Sequence, residues 1–118
     1  MKTKILGRAS ALAGAALMLA ACVRVVEPDA ARVDCGKPGP HGVDCAIRRT
    51  GGTGGFEACW DLAIACRNGG VMTGSACHGV AAGANGASMN MPVASFSDQA
   101  RCDVPASGKV ERLKIRTR

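Results

Sequence analysis

A mainly β fold, a small antiparallel sheet or sandwich stapled by disulfides behind a cleaved signal helix and a tether, is predicted by three observations. The stretch "EACWDLAIAC" alternates cleanly, with Ala58, Trp60, Leu62, Ile64 and Cys66 on one face and Glu57, Cys59, Asp61, Ala63 and Ala65 on the other. That is the period of a half-buried strand. It runs into "RNGG", whose Asn and Gly supply the positive φ that a tight reversal needs. Third, six cysteines lie between Cys35 and Cys102, while Phe56, Trp60 and Phe96 are the chain's only aromatic residues. So thin a core is hard to secure by packing alone. Three bridges at roughly 2–4 kcal/mol each are comparable to the whole stability of an ordinary domain.

The elements follow in chain order. Lys2, Lys4 and Arg8 make a basic start with no acid, and "ASALAGAALMLAA", Ala9 to Ala21, is then thirteen uncharged, mostly apolar residues closed by Arg24. A basic head, a short apolar run and small residues at its end are the parts of an export signal. The run falls short of the ~20 residues that a spanning helix needs.

Leu19-Ala20-Ala21-Cys22 resembles the lipobox of bacterial lipoproteins, an apolar residue and two small ones before a cysteine. The resemblance covers the first 22 residues. It implies that the Cys22 thiol receives a diacylglycerol, that a dedicated peptidase cuts before it, and that the new amino group is acylated. Several acyl chains would hold so small a protein, since one chain alone binds only marginally at about 0.8 kcal/mol per buried methylene. The same resemblance implies, from Val23 in place of an Asp, the outer membrane of a Gram-negative host. The competing reading is an ordinary secreted chain cut near Ala21, with Cys22 a disulfide partner. On the lipoprotein reading, residues 1–21 are the signal, 22–34 the lipidated end and tether, and 35–118 the disulfide-rich β domain.

Cysteine number supports export independently. Of seven cysteines, setting Cys22 aside leaves six, an even number in a chain whose size and destination suit disulfides. Processing also lowers the formal charge from +6 to +3, because Lys2, Lys4 and Arg8 leave with the signal. Lys109, Arg112, Lys114, Arg116 and Arg118 against Glu111 then concentrate charge at the carboxy-terminal end. Such a strip suits either anionic headgroups or a solvated strand face that keeps an edge soluble. The rest is close to neutral, and no nucleic-acid partner is expected.

"VRVVEPDAARVD", Val23 to Asp34, reads as the tether. "CGKPGPHGVDC" is too rich in Gly and Pro for regular structure and suits a local Cys35–Cys45 bridge. "TGGTGG", Thr50 to Gly55, reads as a plain connector, without the Lys and following helix of a phosphate loop. A three-residue Arg67-Asn68-Gly69 loop sets Trp60 opposite Ala76, Leu62 opposite Gly74, Asp61 opposite Ser75 and Cys59 opposite Cys77. A two-residue loop would exchange the faces. A helix over the same stretch stays open, because Phe56, Trp60 and Ile64 also recur every four residues. After Val80 the residues read as loop with a short strand near Val93–Phe96. "SGKVERLKIR" reads as a turn and a strand with Leu113 and Ile115 inward. The expected pairing is Cys35–Cys45, Cys59–Cys77 and Cys66–Cys102, one of fifteen possibilities.

No catalytic set stands out, and no enzyme is expected. His41 lies in a Pro/Gly loop, and His78 follows Cys77. An oxidised Cys77 would be neither nucleophile nor ligand, since both roles need the thiolate. Cys-x-x-Cys is absent, so thioredoxin-like chemistry and the common zinc modules lack their spacing. Met89 and Met91 could offer soft thioethers to Cu(I), with His78 or Met72 completing a site, but methionine also fills gaps in an aromatic-poor core. No cofactor or metal is expected. The leading reading is a lipid-anchored, non-catalytic binding or structural module of the envelope, with the membrane and an envelope protein or polymer as partners. The alternatives are an inhibitor or exclusion-type lipoprotein that blocks an incoming enzyme or conjugation apparatus, and a periplasmic copper binder.

Overall fold

The computed structural model describes residues 27–118. The signal segment, the lipobox and Cys22 lie outside the described residues. Six strands, β1 (Ala30–Cys35), β2 (Val43–Gly51), β3 (Phe56–Cys66), β4 (Val71–Val80), β5 (Gly86–Met91) and β6 (Pro105–Thr117), form two antiparallel sheets. Their orders are β1-β2-β5 and β4-β3-β6. β1 lies against β6 and β4 against β5, so the sheets stack as a sandwich. Among the described residues no helix is long and apolar enough to cross a membrane.

β3 is the spine. Phe56, Ala58, Trp60, Leu62, Ile64 and Cys66 are all buried, and every residue between them is more exposed. The stretch is a strand because this alternation puts its whole apolar half on one side; a helix would spread the same residues around its axis. Val43, Cys45 and Ile47 of β2 and Met91 of β5 meet it from the other sheet in one core. The hairpin has the register of the three-residue loop: Cys59 faces Cys77, Trp60 faces Ala76 and Leu62 faces Gly74. Gly69 takes φ +87° in that loop, and Cys66 N–H closes it on Gly70 O at 2.8 Å. Phe96 packs its ring over Gly74, where a Cβ would stand 2.7 Å from Phe96 Cδ1.

Three elements differ from the sequence expectation. The tether over 22–34 is too long: Ala30–Cys35 is β1, paired along its length with β2. Ala31 and Val33 turn inward while Arg32 and Asp34 stay in water, so the mixture of charge and apolar groups is a strand period. The domain therefore begins before Cys35. The strand expected near Val93–Phe96 is instead a 3-10 turn over Val93–Ser95. The strand lies earlier, at Gly86–Met91, and Pro92, which has no N–H to donate to a ladder, follows its end. Ile115 packs against the core as expected, but Leu113 is 36% exposed, and the residue that joins Ile115 is Val110. These two are five positions apart, an odd spacing that regular alternation cannot place on one face. A β-bulge supplies the extra residue: Arg112 takes φ +53°, and the register slips opposite Trp60.

The "TGGTGG" connector is also more than a link. Arg49, on the inward row of β2, keeps only 9% of its side chain exposed and pairs with the equally buried Asp29 at 2.9 Å. Its Nε donates to Ala84 O at 2.8 Å, and its Nη2 donates to Gly54 O at 2.8 Å and Ala81 O at 3.2 Å. Its guanidinium lies 4.9 Å from the Phe56 ring centroid. Asp29 also accepts from Gly54 N–H at 3.0 Å. One side chain thus ties the start of β1, the β2–β3 loop and the β4–β5 loop together. Gly52, at φ +76°, passes so close that a Cβ would stand 2.8 Å from Asp29 Cα.

Candidate binding face

The outward face of the β4-β3-β6 sheet is built by the same alternation that fills the core. Its β3 row is Glu57, Cys59, Asp61, Ala63 and Ala65. The partners across the sheet are Gly79, Cys77, Ser75, Thr73 and Val71 on β4. On the other side Arg116 stands opposite Glu57, Lys114 opposite Cys59, Glu111 opposite Asp61 and Lys109 opposite Ala63. Small side chains thus floor the face, and β6 borders it with long basic ones. Ser75 Oγ donates to Asp61 Oδ1 at 2.7 Å, and Arg112 reaches Asp61 Oδ2 at 3.5 Å. Arg118 approaches Glu57 Oε2 at 3.9 Å. Among the described residues, Lys109, Lys114 and Arg116 make no ion pair within 4 Å.

Two shallow depressions adjoin on this face. One, of about 370 Å³, is lined by Asp61, Ala63, Thr73, Ser75, Glu111 and Arg112. The other, of about 280 Å³, lies over Cys59 and Cys77 and is rimmed by Arg112, Lys114 and Arg116. The opposite sheet presents a balanced surface. There Arg32 pairs with Asp34 at 3.2 Å, Asp44 accepts from Asn90 Nδ2 at 2.9 Å, and Arg48 is exposed. The excess positive charge is one-sided.

The six cysteines of the described chain form three disulfides, Cys35–Cys45, Cys59–Cys77 and Cys66–Cys102. Cys59, Cys77 and Glu57 are the one group of three metal-ligating side chains close enough to share an ion among the described residues. With the two sulfurs bonded to each other, neither is the thiolate that ligation needs.

The histidines do not join this face. His41 is exposed in the β1–β2 loop. His78 stands opposite Ala58, on the inward row, while Cys77 stands opposite Cys59 on the outward one. Neighbours in sequence therefore point to opposite sides of the sheet, and no Cys77–His78 dyad forms. Met72 does not converge with His78 either. Met91 is 1% and Met72 4% exposed, both in the core, and Met91 Sδ lies 3.7 Å from Cys45 Sγ. His78 is six positions from Met72 on one strand, about 20 Å away.

Two features had no sequence signal. The Arg49–Asp29 pair depends on loops that meet only in three dimensions, though Arg49 does continue the inward alternation of Val43, Cys45 and Ile47. Trp60 Nε1 is the one buried side-chain nitrogen or oxygen without a hydrogen-bond partner among the described residues. Comparison with family models, curated proteins and solved structures finds no match to this chain.

Proposed function

We propose that this protein is a lipid-anchored bacterial envelope lipoprotein, a non-catalytic binding module delivered into an oxidising compartment. The observation that carries the reading is the pairing of all six cysteines between Cys35 and Cys102, which sets Cys22 apart as the odd one. That is the arrangement expected when one cysteine carries lipid and the others staple an exported domain.

The shortened tether sharpens the reading. Asp29 is already held by Arg49, so six residues, or seven Cα–Cα steps, separate the lipid-bearing Cys22 from Asp29. They span at most about 25 Å fully extended. The end of the sandwich holding Asp29, the Gly51–Gly55 loop and the last residues of β6 then stays near the headgroups, where Arg116 and Arg118 meet anionic lipid favourably. The opposite end, with the Gly36–Gly42 loop, the Arg67–Gly69 turn and the Cys66–Cys102 bridge, faces away and is available to an envelope partner.

The test is fractionation of cells that express the full chain or its Cys22→Ser variant. The native protein should sediment with envelopes and need detergent for release, whereas the variant should lose detergent-dependent anchoring. Equal distribution of the two overturns the reading.

A further inference from the structure

The three disulfides are not equivalent in position. Cys35–Cys45 and Cys66–Cys102 each keep one sulfur in the core, with Cys45 2% and Cys66 7% exposed. Cys59 and Cys77 instead face each other on the outward rows of β3 and β4, Cys59 half-buried and Cys77 exposed. Arg112, Lys114 and Arg116 rim the depression above them. We propose that Cys59–Cys77 is a thiol–disulfide exchange site that takes anionic thiols and dithiols as its reductants, while the other two bridges remain structural.

The chemistry follows from access and charge. A reductant thiolate attacks the Sγ of Cys77, an exposed residue, the S–S bond breaks, and its electron pair leaves on Cys59 as a thiolate, giving a mixed disulfide. With a dithiol reductant, the second thiol then attacks the mixed disulfide and Cys77 departs as thiolate. The reductant ends as a disulfide, and its two protons pass to Cys59 and Cys77. Both leaving groups are anions forming beside Lys114, Arg112 and Arg116, and a cation lowers a thiol pKa and speeds its departure. The same cations concentrate a negatively charged reductant at the site. Glu57 works against them, with Oε1 3.6 Å from Cys59 Sγ.

Reduction here leaves the fold standing. The β3–β4 hairpin is held by ten paired positions and its own tight loop. The bridge thus reinforces a contact that the strands already make. The site is independent of the anchor.

The test uses the full chain carrying Cys22→Ser, fully oxidised, so that the seventh cysteine does not enter the readout. Limiting reduced glutathione at neutral pH, a net anion, is added, trapped with N-ethylmaleimide and mapped by mass spectrometry. Glutathione is expected on Cys77 and maleimide on Cys59, with the other four cysteines still paired and the near-ultraviolet signal of Trp60 unchanged. Exchange should run roughly tenfold faster with glutathione than with cationic cysteamine. Lys114→Glu/Arg116→Glu should reverse that order, Lys114→Gln/Arg116→Gln should level it, and Glu57→Gln should speed both thiols. Labelling that appears first on another pair, or on all six cysteines together, overturns the proposal. So does a glutathione-to-cysteamine ratio of one that the charge variants leave unmoved.

Discussion

Arg49 is the residue on which one end of the sandwich closes. It satisfies three loop carbonyls and the Asp29 carboxylate from an inward position that, by pattern alone, should be apolar. Removing one partner of a buried pair leaves the other charged and unsolvated, which costs far more than the pair contributes. Arg49→Met should therefore lower the unfolding free energy by about 3 kcal/mol, measured by urea denaturation. Arg49→Lys should recover only part of that, because an ammonium lacks the planar fork that reaches Asp29, Gly54 and Ala84 together. A loss below the ~0.5 kcal/mol typical of surface substitutions would contradict the buried role. Nothing in the sequence announced it. The partners come from residues 29, 54, 81 and 84, and only folding brings them together. Cys77 and His78 show the converse: they are adjacent in sequence, and strand alternation sets them on opposite faces.

At the scale of single elements, legibility depended on whether local pattern and tertiary packing agreed. β3 and β4 were readable because a period of two, a turn sequence and the match of large to small side chains all selected one register. The Cys59–Cys77 bridge is a consequence of that register. β1 was hidden because a charged, Pro-containing stretch looks solvated until its alternate residues find a core to face. β6 was readable as a strand, but its phase was not. The apolar residues Val110, Leu113 and Ile115 cannot all share one face without an irregularity, and the sequence does not say where it falls. The bulge places a non-glycine residue, Arg112, at φ +53°, a conformation that costs an L-residue roughly 1–2 kcal/mol. The side chain contributes an ion pair to Asp61 that is 79% exposed on the arginine side, and such pairs add little. Arg112→Gly should thus raise the unfolding free energy by about 1 kcal/mol. Thermal or urea unfolding reads the sign directly. A clear destabilisation would mean that the arginine side chain, and not the backbone turn, fixes the bulge.

The whole molecule combines a modest core, three staples and one charged face. Its two sheets differ in character: the β1-β2-β5 surface is charge-balanced, while the β4-β3-β6 surface carries the basic border and the Cys59–Cys77 disulfide. The sequence foretold the β class, the stapling and the basic strip. It could not tell which surface the strip would border, because that depends on β6 pairing with β3 and not with a strand of the other sheet. On the proposed anchor, the short span from Cys22 to Asp29 would hold the basic end near the bilayer and turn the Gly36–Gly42 and Arg67–Gly69 loops away from it.

The lipid on Cys22 is the central claim, and metabolic labelling with palmitate tests it most directly. The full chain and its Cys22→Ser counterpart are expressed in a bacterium, immunoprecipitated from envelopes and measured for incorporated label and intact mass. The account predicts label on the native protein alone, with a mass that lacks residues 1–21 and carries a diacylglyceryl group. Equal label in the two proteins, or a native mass that retains Met1 to Ala21, contradicts it.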